Sequence, residues 1–174
     1  MTFQIYSSSN APLESRYALE KTEQDMGYVP DLLGVFAESP ALLNAYVAMG
    51  DWMKKTSFDT LEREVVLKTA GQMTGCSWCA SAGLNSVNDI PHELSRSAEQ
   101  GRKLDDPRLE ALRLYAVSVI ENHGRPAEDV KQRFIEAGYG PQQALEIILA
   151  AGMMTIASFS AGLAHRVLES RLRH

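Results

Sequence analysis

Glu62-Arg63-Glu64-Val65-Val66-Leu67-Lys68-Thr69-Ala70-Gly71-Gln72-Met73 runs into Thr74-Gly75 and then into Cys76-Ser77-Trp78-Cys79. How the residues ahead of the cysteines are read decides the fold. A C-x-x-C pair of the thioredoxin kind follows a strand in a βαβ unit. Here the preceding residues are helical in pattern. Asp59, with Glu62 three residues on, matches the capping box that starts a helix. A helix in this place excludes the thioredoxin fold while leaving dithiol chemistry open.

Proline and glycine divide the rest of the chain in the same way. Pro12 opens a helix over Leu13 to Met26, and Gly27 closes it. Asp31 starts a short helix to about Ala37, and Ser39-Pro40 starts another over Ala41 to Lys55. Thr74-Gly75 ends the helix begun at Asp59, and Cys76 to Val87 forms the next. Pro91 to Gln100 is short and closed by Gly101. Asp106-Pro107 caps a helix with Leu109, Leu112, Ala116, Val119 and Ile120 at helical spacing. Pro126 to Ala137 ends at Gly138, and Gly140-Pro141 begins the longest helix, reaching Leu168 or beyond. No segment alternates long enough to make a strand. The expectation is an all-α helical bundle of seven to eight helices, formed by one domain over residues 1–174.

The longest helix repeats Leu145, Ile148, Leu149, Gly152, Met153, Ile156, Phe159, Ser160, Leu163 and Val167, which predicts a stripe facing the bundle core. From Ile147 to Ala164 it has 18 residues without a charge, at the lower limit for a membrane span. Thr155, Ser158, Ser160, Gly152 and Gly162 interrupt it, so a buried central helix is the reading and no membrane is expected. Small residues four apart, Ala157 to Ala161 and Ser158 to Gly162, predict close packing on other faces too, partly against another subunit.

The 174 residues are 45% hydrophobic and 22% charged, with a formal charge of −5. A nucleic-acid-binding face needs clustered Lys and Arg, which this balance argues against. Met1 to Asn10 has no cationic region and no apolar run, so no secretory signal is read there. A cytoplasmic protein keeps its thiols reduced, and a static disulfide is not expected.

The only two cysteines are three apart, and such a pair has few physical uses. Haem attachment requires histidine directly after the second cysteine, where Ala80 stands. Structural zinc requires four ligands, and His92, His123 and His165 are scattered singly. Two readings remain: small residues packed inside a helix, and a redox dithiol, which the residues favour. Thr74-Gly75 predicts that the pair lies in the first turns of a helix, where free N–H groups and the dipole stabilise a thiolate. A proton acceptor is also needed. Glu64 is a candidate, although Lys68 four residues on offers it a surface ion pair, the reading that periodicity alone prefers.

With Glu64, Cys76 and Cys79 in view, the chain resembles the alkylhydroperoxidase D-like family, also named for carboxymuconolactone decarboxylase. That family's signature is a glutamate, eleven residues, C-x-x-C, three residues and a histidine, and Glu64, Cys76 and Cys79 match it in type and spacing. Tyr28-Val29-Pro30-Asp31-Leu32 with Ser39-Pro40-Ala41-Leu42-Leu43 is similar to its lead-in. Glu136-Ala137-Gly138-Tyr139 with Ala144-Leu145-Glu146-Ile147-Ile148 resembles its closing half.

The resemblance implies an all-α fold, assembly into a homo-oligomer (trimer or hexamer), and a thiol peroxidase needing no metal or other cofactor. In that scheme Cys79 attacks the hydroperoxide substrate, Cys76 resolves the sulfenic acid, Glu64 moves the proton, and a dithiol reductant protein restores the thiols. Two positions depart from it. Gly83 stands where the family has its histidine, which removes the imidazole from the relay. Trp78 stands where tyrosine or histidine is commoner. His165 aligns loosely with a further family histidine, though a structural role is the simpler reading. The competing readings are a diverged carboxymuconolactone decarboxylase-like enzyme, against which the dithiol counts, and a non-enzymatic oligomeric scaffold or redox sensor, which Gly83 motivates.

Overall fold

The computed structural model describes residues 2–75 and 91–172, with side chains through residue 169. Every regular element among them is an α-helix, as expected. In chain order they are α1 (Leu13–Met26), α2 (Asp31–Phe36), α3 (Pro40–Met53), α4 (Thr60–Met73), α5 (His92–Glu99), α6 (Pro107–Glu121), α7 (Glu128–Glu136), α8 (Pro141–Leu163) and α9 (His165–Leu172). The predicted helix over Cys76 to Val87 lies outside the described residues. The expected final helix is divided at Ala164 into α8 and α9.

The chain forms two compact units, Met1–Trp52 with Phe159–His174, and Met53–Ser158. In the first, Leu19, Leu32, Phe36 and Leu43 are fully buried, and Tyr46 meets Phe36 edge-on with ring centroids 5.0 Å apart. The left-handed Gly27 (φ 81°) ends α1, as its place in the sequence predicts. Ser15 Oγ, buried in α1, donates to Ala37 O at 2.8 Å, which ties α1 to the end of α2. The extended N-terminal residues cross α2 closely enough for Tyr6 N–H to donate to Gly34 O at 3.1 Å.

The second unit is built around α4. Its N-terminus is the capping box read from sequence: Asp59 accepts from Glu62 N–H at 2.9 Å, and Glu62 Oε2 accepts from Asp59 N–H at 2.9 Å. Val65 packs with Ala98 of α5, Leu104 and Leu109 of α6 in a buried apolar cluster, flanked by Leu61 and Leu94. Asp106 caps α6 through Arg108 N–H and Leu109 N–H, as predicted. Tyr115, Phe134 and Tyr139 stack α6, α7 and the following turn, with centroids 3.9 and 4.9 Å apart.

Charged groups in this unit are held rather than merely solvated. Arg113 forks onto Glu110, with Nε and Nη2 each 2.8 Å from a carboxylate oxygen, and Leu104 N–H adds a third donor at 2.9 Å. Burial pushes the Glu110 carboxyl up, but these donors outweigh it and hold it below the usual range. Arg108 pairs with the buried Glu62 and lies over the Tyr139 ring. Burial first, and then the Glu62 carboxylate, push the Tyr139 phenol far above its ordinary value.

α8 departs from its predicted packing. The inward residues are Ile147, Ala150, Met153, Met154 and Ala157, whereas Leu145, Ile148, Phe159 and Leu163 of the expected core stripe are exposed. Only 28% of its most apolar 18-residue window is buried, so it is not a fully enclosed central helix. The helix is apolar almost all round, and periodicity has no contrast from which to choose a face. By length and composition it would pass for a membrane span, but its first turns carry Glu146, which accepts from Ser57 Oγ at 2.6 Å and Ser57 N–H at 3.0 Å. Burial raises that carboxyl less than these hydrogen bonds lower it.

A Cβ on Gly34 would sit 2.7 Å from Tyr6 O and 2.8 Å from the Ile5 side chain, so any side chain forces the N-terminal residues off α2. Gly34→Ala is expected to destabilise the protein by about 1–3 kcal/mol, as overpacking does. Denaturant unfolding reads this directly; an unchanged midpoint would mean that the N-terminal crossing is not held in solution.

Candidate functional site: a buried glutamate between two parallel helices

Once the Asp59–Glu62 box fixes the phase of α4, the helix turns Glu64 inward, where it is 4% exposed. An inward carboxylate needs a partner. Glu64 Oε1 accepts from Ser95 Oγ of α5 at 2.7 Å. The Lys68 partnership that the i,i+4 spacing suggested is replaced, because Lys68 Nζ reaches Glu99 of α5 at 3.9 Å. Tertiary neighbours on α5 supply both partners.

These contacts fix the relation of the two helices. Glu64 meets Ser95, Lys68 meets Glu99, and the Gln72 side chain lies 3.4 Å from where a Cβ on Gly101 would be. Each step along α4 is matched by a step in the same sense along α5, so the helices run parallel. The end of α4 and the start of α5 therefore lie about 18 Å apart along the helix axes, at 1.5 Å per residue. Cys76, Cys79 and Gly83 belong to the connection between those ends and lie outside the described residues.

The approach to Cys76 is well defined. Thr74 Oγ1 donates to Ala70 O at 2.9 Å, and Gly75 N–H donates to Gln72 O at 3.1 Å. Gly75 adopts a left-handed φ of 69°, which stops α4 one residue before the first cysteine. Ser158 Oγ of α8 donates to Thr74 O at 2.7 Å, anchoring this corner to the rest of the unit. The interruption predicted from Thr74-Gly75 is thus where the sequence put it.

The other sequence candidates are ordinary. His165 is exposed at the start of α9, with Nδ1 3.0 Å from Gly162 O, which is the structural role expected of it. His92 is exposed and 3.2 Å from Arg96 Nη2, and His123 occupies a left-handed turn position at φ 51°. A cavity of about 480 Å³ opens beside α6 and α7, lined by Lys103, Arg108, Glu110 and Arg133 among others; neither Glu64, Ser95 nor Thr74 lines it. Ser95 itself had no signal in the sequence. It is one serine in a short amphipathic helix, 31 residues from its partner.

The arrangement of the described helices is the alkylhydroperoxidase D-like fold. An uncharacterized peroxidase-related protein from Ralstonia eutropha JMP134, described as an alkylhydroperoxidase AhpD core, superposes with a TM-score of 0.76 at 19% identity, over 92% of this chain and 88% of that one. An uncharacterized peroxidase-related protein from Silicibacter sp. TM1040 does so with a TM-score of 0.75 at 18% identity, over 95% of this chain and 88% of that one. No family model and no curated relative matches the sequence.

α4 and α8 approach closely at Gly71, where an added Cβ would lie 3.7 Å from Met154 Sδ, an ordinary contact distance. Gly71→Ala is therefore expected to fit, and to stabilise the protein by up to about 1 kcal/mol through helix propensity. Thermal unfolding checks this; a clear loss of stability would show that the two helices need closer contact than that spacing allows.

Proposed function

We propose that the protein is a thiol-dependent peroxidase that reduces hydroperoxides through Cys79 and Cys76, with Glu64 as the proton carrier. The observation that supports this most is the placement of Glu64: buried, hydrogen-bonded and facing α5. It also lies within the length of α4 that the cysteine-bearing connection has to re-cover to reach α5. A carboxylate put there only for stability would be better replaced by an apolar residue, since burying its charge is unfavourable. The fold shared with proteins described as peroxidase-related is consistent with this reading.

In the proposed cycle the Cys79 thiol gives its proton to Glu64, through water, and the thiolate attacks the terminal hydroperoxide oxygen. The S–O bond forms as the O–O bond breaks, and the alkoxide leaves as an alcohol after taking the proton back. Cys76 then attacks the Cys79 sulfenic acid, so that a disulfide forms and water leaves. A protein dithiol reduces the disulfide by exchange and becomes oxidised in turn. Gly83 withholds the imidazole that the resemblance places beside this pair, so the proton depends on the carboxylate alone and turnover is slower than with both groups.

The protein on this reading is cytoplasmic and assembles as a homo-oligomer, a trimer or hexamer. The exposed Leu145, Ile148, Phe159 and Leu163 along α8 support such an assembly, because a row of large apolar side chains facing water favours a partner. Treatment of the reduced protein with cumene hydroperoxide is expected to remove both thiols and lower the intact mass by about 2 Da, the loss of two hydrogens on disulfide formation. Cys79→Ser is expected to abolish hydroperoxide consumption. Thiols that stay free in the wild type, or undiminished consumption by Cys79→Ser, would refute the proposal.

A further inference from the structure

Glu64 has two carboxylate oxygens, and the structure commits one of them. Ser95 Oγ donates to Oε1 at 2.7 Å from a helix that the chain reaches only after the cysteine-bearing connection. The simplest account of such a contact is a staple between helices. The packing makes that account redundant, because Val65, Ala98, Leu104 and Leu109 already join α4 and α5 to α6 through buried apolar surface, and Lys68 with Glu99 adds a second polar tie. A staple is also as well made by an amide or an apolar pair, neither of which needs a buried acid.

We infer that Ser95 is the positioning residue for Glu64. Its hydroxyl holds the carboxylate in one rotamer through Oε1 and leaves Oε2 as the oxygen that takes and returns the proton. Serine suits this task because its hydroxyl carries one donor and two acceptor lone pairs and rotates freely about its bond. It stays bonded to Glu64 whichever way the carboxyl proton lies. Fixing the acceptor matters because a displacement of about 1 Å at a reacting group can lower a rate by on the order of 100-fold. The inference rests on the thiol-peroxidase reading for its consequence, and two reagents separate them.

Single-turnover loss of free thiol is measured with cumene hydroperoxide and, separately, with iodoacetamide. The alkylating reagent needs only a deprotonated thiol: the sulfur–carbon bond forms and iodide leaves. Ser95→Ala is expected to slow both reactions by at least about 10-fold. Ser95→Thr, which keeps the hydroxyl, is expected to bring both to within about 3-fold of the wild type. Its isostere Ser95→Val, which lacks the hydroxyl, is expected to behave like Ser95→Ala and covers the case in which alanine unfolds the protein. Thermal midpoints of the folded variants should stay within about 5 °C of one another, so that stability does not account for the rates. Equal rates for Ser95→Val and Ser95→Thr, or wild-type rates in Ser95→Ala, would overturn the inference even if the protein reduces hydroperoxides. A Ser95-dependent alkylation rate in a protein inert to cumene hydroperoxide would uphold the positioning role and refute the peroxidase.

Discussion

Two helices that run in the same direction cannot be joined by a tight turn, and the second unit of this protein is organised by that constraint. Glu64 on Ser95 and Lys68 on Glu99 hold α4 and α5 parallel, with Val65 and Ala98 packed between them. The chain that leaves Gly75 must therefore come back along α4 before α5 can begin. Both cysteines belong to that return. The left-handed Gly75 and the Ser158 bond to Thr74 fix where it starts, and the first turn of α5 fixes where it ends.

The same constraint explains why an acid at position 64 is informative. A carboxylate inside a packed helix pair gives up hydration, and one serine hydroxyl replaces little of it. Elsewhere in the unit, buried acids have cations: Glu62 has Arg108, and Glu110 has the Arg113 fork. Lys68, the cation nearest to Glu64 in sequence, turns to Glu99 instead. Glu64 is thus held by a neutral donor, an arrangement that suits a group meant to gain and lose a proton better than one meant to stay charged.

Much of this fold was legible because its helix ends are written in local chemistry. Gly27, the Asp59–Glu62 box, Asp106-Pro107 and Thr74-Gly75 each act within a few residues, and each ends or starts a helix where the sequence indicated. Failures came where tertiary neighbours decide. The i,i+4 relation of Glu64 and Lys68 gave way to partners on α5. α8 is apolar on every side, so spacing could not tell Ile147 and Ala150, which are buried, from Leu145 and Ile148, which are not. The break at Ala164 carries neither proline nor glycine at the residue itself. The C-x-x-C pair was recognisable from spacing alone, and Ser95 was not, because a serine 31 residues away leaves no local trace.

The account stands on Glu64 acting as a proton carrier rather than as a structural acid, and Glu64→Gln isolates that property. Glutamine keeps the shape and can still accept from Ser95 Oγ, but it cannot take a proton from a thiol. Stopped-flow measurement of thiol loss against an organic hydroperoxide should show Glu64→Gln slower than the wild type by at least about 100-fold, the scale of general acid–base assistance, with the fold intact. A rate within about 3-fold of the wild type would contradict the account.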